Sequence, residues 1–292
     1  MHLRKLTALI PPLLLTFNLP VFAASNRWEK AMRAERASYQ QCQLDKAGKY
    51  LKAAAKEALH FDLGDPRLVE TLNAGGDLFR AERQFQRSEW AYNQALIWGG
   101  AWLKAEDPAL ARSLTGLGIV SQETHQRDYR RAESYFNEAL AIQKKSLGSD
   151  SLEVAFTLNC LGELNMLRHQ DGVAESLLQR ALGIRRKKLR PDDPAIAQTL
   201  EDLALVYTHQ GRLKRGAALF QEALSIYKKS LGPDHCELAL ALRNYASLLT
   251  KMGRVAEASQ LEVEALSIAE RHIPQTTATI PVYSPGVVGR RH

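Results

Sequence analysis

At 292 residues the chain has room for one or two compact domains or a single repeat array. Its 45% hydrophobic and 24% charged residues, with only 7% aromatics, are weighted toward Ala, Leu, Glu, Lys, Arg and Gln, which lose little side-chain freedom in a helix, so an all-α fold is expected. The net charge of +7 is modest and its charges are mixed along the chain rather than gathered in blocks, the pattern of a solvated surface, which argues against a nucleic-acid partner.

Residues 1–23 read as a secretory signal peptide. Arg4 and Lys5 precede an apolar stretch from Leu6 to Leu19, and Val21-Phe22-Ala23 supplies small residues at the third-last and last positions before a cut after Ala23, with Ala24 the neighbouring choice. The stretch is shorter than the roughly 20 residues a bilayer span needs, so no integral membrane span is expected after cleavage. No Cys follows it to take a lipid. Cys42, Cys160 and Cys236 are three and widely spaced, which suggests no disulfide framework; they are expected as small packing residues.

Next comes a weak helical unit over 24–64, in which Gly48-Lys49-Tyr50 resembles a turn and the start of a second helix. Its sequence pattern is degenerate, as a terminal capping repeat must be, because one of its faces meets water.

From residue 65 an internal repeat emerges by arithmetic. Ala-Leu begins at Ala95, Ala139, Ala181, Ala223 and Ala265, at intervals of 44, 42, 42 and 42. Gly76, Gly118, Gly162, Ala204 and Ala246 form a second series, and Ser88, Ala132, Ala174, Gly216 and Ala258 a third. Two extra residues fall within Gln122 to Arg127, between helical stretches, where an array tolerates insertion. Each unit is expected to be an antiparallel helix pair, its small residues lying where backbones approach and Phe136, Leu178 and Phe220 supplying bulk. First helices should begin after Asp65-Pro66, Asp107-Pro108, Ser151-Leu152, Asp193-Pro194 and His235-Cys236, mostly an N-cap residue followed by a first-turn residue. Lys145 to Gly148 and Lys229 to Gly232 read as helix ends. The units fall at about 65–106, 107–150, 151–192, 193–234 and 235–272. Beyond Ile273, Pro274, Pro281 and Pro285 rule out a long helix, so 273–292 is expected to be a disordered tail.

The small residues at three positions, the bulky residue between the last two, and the turn glycines Gly211 and Gly253 resemble the tetratricopeptide repeat (TPR). The 42-residue period and the run I-Y-K-K-S-L-G-P-D-H from Ile226 to His235 resemble the long variety found in kinesin light chains, which exceeds the 34-residue unit by roughly one turn per helix. The resemblance implies a right-handed α-solenoid, a TPR superhelix, whose first helices line a concave groove.

Carried over from that resemblance, the groove positions are Asn73, Asp77 and Arg80; Thr115, Ile119 and Gln122; Asn159, Glu163 and Met166; Glu201, Leu205 and Thr208; Arg243, Ser247 and Thr250. Asn244 joins them, because an amide next to the groove can pair with an extended backbone. The Lys and Asn set that clamps a terminal carboxylate in chaperone-binding relatives is absent, so no such ligand is expected.

Other candidates have plainer readings. His125, His169 and His209 fall near successive turns, but packed helices stand roughly 8–10 Å apart, too far for three imidazoles to share one ion, so no metal is expected. Asp192-Asp193 is read as capping, and Trp90, Trp98 and Trp102 as packing against the first repeat. No phosphate loop, nucleophile elbow or His-Glu-x-x-His pattern occurs, so neither a cofactor nor catalysis is expected.

The function expected is therefore that of an exported scaffold, periplasmic or alternatively secreted, which binds an extended segment or helix of a partner protein in its groove. The alternatives are a self-associating structural array and a non-catalytic subunit that recruits substrate to a separate enzyme.

Overall fold

The computed structural model describes residues 13–62, 64–124 and 127–272, with side chains from Ala23 onward. The first twelve residues of the expected signal peptide and the expected tail, 273–292, lie outside them.

The described residues form twelve helices and no strands: α1 Leu13–Gln40, α2 Leu44–Ala58, α3 Pro66–Ala81, α4 Phe85–Trp102, α5 Pro108–Glu123, α6 Tyr129–Leu147, α7 Leu152–Leu167, α8 Asp171–Lys188, α9 Pro194–His209, α10 Leu213–Ser230, α11 Cys236–Lys251 and α12 Val255–His272. Each odd-numbered helix packs on the even one that follows, and each even one on the next odd one. The result is an all-α solenoid of six helix pairs.

The helix starts follow from the capping residues. The Asp65, Asp107 and Asp193 carboxylates accept from the backbone N–H two residues on, Ser151 Oγ accepts from Val154 N, and His235 Nδ1 accepts from Glu237 N. Each satisfies an otherwise unpaired donor in the first turn. Gly148 (φ +88°) and Gly232 (φ +89°) follow the basic last turns of α6 and α10, as expected of helix ends.

Within each pair the turn places one residue in the left-handed region: Cys42, Arg83, Arg127, His169, Gly211 and Gly253. Their spacing repeats the 42-residue period closely, so the first pair is in register with the rest. This corrects the reading of Gly48-Lys49-Tyr50 as its turn. Gly48 lies inside α2, under Leu78, and the turn is made by residues 41–43 with Cys42 at φ +56°.

Small residues sit where bulk from the second helix arrives. A Cβ on Gly118 would stand 2.4 Å from Phe136, and one on Gly162 2.6 Å from Leu178. Tyr92 fills the same role twice, lying against Gly76 of its own pair and Gly116 of the next. The core thus runs from pair to pair without a break, close-packed around fully buried Tyr92, Phe136, Leu178 and Phe220. Trp90 and Trp102, expected to pack on the first repeat, are instead 58% and 57% exposed, and only Trp98 of the three is half-buried.

The solenoid also curves back on itself. Cys42, in the first turn, is disulfide-bonded to Cys236 at the start of α11, 194 residues away, with Cα atoms 6.4 Å apart. This overturns the expectation that the cysteines only pack. Cys160 alone does so, buried in α7 with its thiol pushed up in pKa by burial. The pairing depends on the summed curvature of five helix pairs, which no local sequence signal reports.

The concave face as candidate binding site

Helices α3, α5, α7, α9 and α11 bring the expected groove residues to one side of the array, but these residues are not equally available. Asn73 is fully buried; its Nδ2 donates to Ala109 O (3.1 Å) and its Oδ1 accepts from Ser113 Oγ (2.7 Å), tying α3 to α5. Thr115 is buried as well, donating to Ala111 O (2.9 Å) and lying 3.3 Å from Thr157 Oγ1. Thr208 and Thr250 donate back to their own helices, and Ile119, Met166 and Leu205 pack against the core. Gln122 is buried with no hydrogen-bond partner for its Oε1 among the described residues.

The remaining groups assemble into two polar networks. In the first, Asp77 accepts from Tyr92 OH and from Arg112, both at 2.6 Å, while Arg80 donates to Glu123 and to Tyr39 OH, both at 3.4 Å. Glu35 stands beside them, and burial, reinforced by the charge of Asp77, pushes its carboxyl up to about 7.

The second network spans α7 to α11. Asn159 Nδ2 donates to Glu163 (2.7 Å) and Asp202 (2.6 Å). Arg185, buried on α8, donates to Ala195 O and Thr199 Oγ1, both at 2.6 Å. Glu201 accepts from Asn244 (2.7 Å) and Tyr227 OH (3.4 Å). Burial raises Glu163, Asp202 and Glu201, the last to about 7, and the carboxylates raise one another further. Glu237, close enough for its charge to raise Glu201, is itself raised by burial and lowered in part by His235, while the Arg185 guanidinium lowers Glu163 and Asp202. Arg243 is half-buried, and Ser247 is exposed.

Enclosure by the curved array accounts for an apparent contradiction. Glu123 keeps 36% of its side chain open to solvent, yet burial is the main cause of its raised pKa. Protein surrounds the group on most sides while water still reaches it from the front, as inside a narrow groove.

Sequence reasoning passed over Arg185 and Tyr227, because second helices do not line such grooves. A signal was present nonetheless: each follows the Ala-Leu of its unit at the fourth position, where Gln143 stands in the preceding unit, a polar group in a core-facing register. Two positions of the histidine row can be placed as well. His169 sits at a turn and His209 ends α9, their ring centroids 6.5 Å apart, whereas His125 lies outside the described residues. Asp193 caps α9, while Asp192 pairs with Arg190 (3.1 Å) and Lys229 (3.3 Å).

No curated protein matches the chain. Among solved structures, a kinesin light chain of Podosopora anserina with nearly identical TPR-like repeats is 20% identical, with a TM-score of 0.53 over 71% of this chain and 97% of that one. BtubC (BKLC) from P. vanneervenii is 18% identical, with a TM-score of 0.57 over 91% of this chain and 97% of that one. At such identity these likenesses speak for the fold alone. The tetratricopeptide-repeat family itself matches residues 110–187 and 195–271, more than half of the sequence. With its helix pairs, period and turns now placed, the chain belongs to the tetratricopeptide-repeat family.

Proposed function

We propose that this protein is an exported scaffold whose concave face binds a cationic segment of a partner protein. The observation that carries the reading is the second polar network. Carboxyls of Glu163, Asp202, Glu201 and Glu237 are gathered along one groove and raised by burial, with the Arg185 guanidinium offsetting Glu163 and Asp202, an arrangement that costs stability and that a Lys or Arg side chain from outside would relieve. Asp77, Arg80, Arg243, Asn244 and Ser247 extend the contact surface along the array. The proposed role is recognition without catalysis.

Export draws support from the leader-like first 23 residues. The Cys42–Cys236 bond adds to it, since such bonds persist in oxidising compartments such as a periplasm.

A selection of displayed twelve-residue peptides on residues 24–292 tests the recognition. Enriched peptides should carry Lys or Arg, and their affinity should fall several-fold in Glu163→Gln and on adding salt. Peptides without charge bias, or affinity unchanged by the substitution, would remove the concave face as the site.

A second reading has one observation in its favour. Trp90, Ile97 and Trp102 expose apolar surface on α4, away from the groove, which suits self-association. Sedimentation of the wild type and of Trp90→Gln/Trp102→Gln decides it: a concentration-dependent dimer lost in the variant supports this reading, and a monomer at all concentrations removes it.

A further inference from the structure

We infer that the Cys42–Cys236 disulfide is a redox-operated clasp that closes the superhelix around its concave face, so that reduction opens the groove to partners from the side. The inference rests on the reading of that face as the binding site.

The clasp joins the two ends of the array. Cys42 belongs to the turn after α1 and Cys236 is the first residue of α11, so one edge of the first helix pair meets the opposite edge of the sixth. Apart from the bond, the described contacts at this seam are made by the His235 ring, which lies 3.9 Å from Cys42 Sγ and hydrogen-bonds to Gln40 O. His235 Nδ1 accepts from Glu237 N, which leaves the proton on Nε2, and Nε2 donates to Gln40 O at 2.6 Å. Among the described helices, α11 packs on α9, α10 and α12, and no packed helix face joins it to α1 or α2. Closure therefore depends on the covalent link.

The site also suits exchange. Cys236 stands in the first turn of α11, where unpaired backbone N–H groups favour a thiolate, and the His235 ring lies 3.9 Å from Cys42 Sγ. A dithiol reductant attacks one sulfur, forming a mixed disulfide, and its second thiol then displaces the remaining one. The reductant leaves as a disulfide, and Cys42 and Cys236 together gain two electrons and two protons. A disulfide donor reverses the sequence.

In the closed form the odd-numbered helices encircle the groove, so a segment reaches Glu163 and Glu201 only by threading an end through. In the open form it enters sideways. Cys42, His235 and Cys236 also present ligand atoms within 4.8 Å of one another, so a soft metal ion bound by the reduced set would be the competing account.

The test uses residues 24–292, oxidised, reduced, and as Cys42→Ser/Cys236→Ser. The probes are a fluorescent Lys/Arg-rich twelve-residue peptide with free ends and the same peptide fused at both ends to folded domains too large to thread. The oxidised protein should bind the free peptide but associate with the blocked one at least tenfold more slowly, whereas the reduced protein and the variant should accept both at similar rates. Equal rates for both probes on the oxidised protein would overturn the clasp. So would a reduced protein that stays closed to the blocked probe when zinc is added and opens with a chelator, which would make the seam a metal site. Small-angle scattering reads the seam independently of any ligand. A larger radius of gyration for the variant than for the oxidised protein supports closure, and equal radii overturn it. If neither probe binds in any state while the radii differ, the binding reading fails and the clasp stands.

Discussion

Phe136 occupies the volume that a side chain on Gly118 would need: a Cβ there would lie 2.4 Å from the ring's Cε1. Both belong to repeating series, and the contact joins α5 to α6 inside one unit. Gly118→Val should therefore overpack the unit and lower stability by about 1–3 kcal/mol, read from the shift of the urea midpoint. Gly148, whose Cβ would meet nothing within 4 Å, provides no such contact.

Asp193 and Asp192 are adjacent but should respond differently. The first caps α9 through Ala195 N (2.9 Å), so Asp193→Ala should cost about 1 kcal/mol. The second makes exposed ion pairs with Arg190 and Lys229, and Asp192→Ala should leave the thermal midpoint where it is.

The six left-handed turn positions invite a paired exchange. His169 adopts φ +58° where the next two units have Gly211 and Gly253. His169→Gly should stabilise by roughly 1 kcal/mol, and Gly211→Ala should destabilise by a similar amount, both measured by thermal melting.

The buried carboxyls predict a pH dependence with a definite sign. Glu35 and Glu201 rise from an ordinary carboxyl value to about 7 on folding, so between pH 4.5 and 7 the folded chain holds protons that the unfolded chain has released. Stability should fall as pH rises through that window, each group contributing up to roughly 1.4 kcal/mol per pH unit. Urea melts at pH 5 and pH 8 would show it, and Glu201→Gln should flatten the difference.

Arg185→Met should cost about 3–5 kcal/mol at pH 8, because it strips a buried carboxylate network of its countercharge. At pH 5 the same carboxyls are largely protonated, and the loss should be smaller.

Much of this organisation is legible in the sequence because it is local. The period, the caps at Asp65, Asp107, Ser151, Asp193 and His235, and the small residues facing bulky ones each involve neighbours within one unit or the next. What escapes notice depends on sums over units or on departures from a pattern. The first turn carries Cys42 where other units carry Arg, His or Gly, so no residue type marks the position and Gly48 stands out instead. Asn73 matches a groove position yet is closed off by Ser113, a residue 40 positions on. The Cys42–Cys236 contact accumulates from small rotations between units, none of them written in any single turn.

That seam also sets a count. An open array frays from its ends, since the terminal units have a neighbour on one side only. Joined across Cys42 and Cys236, the first and sixth pairs are tied by a covalent link in place of a packed face, and amide exchange at the turn after α1 and at the start of α11 should slow on oxidation. The bond acts as a ruler as well: a unit added or deleted between residues 65 and 235 should carry the two sulfurs past one another and leave both as free thiols.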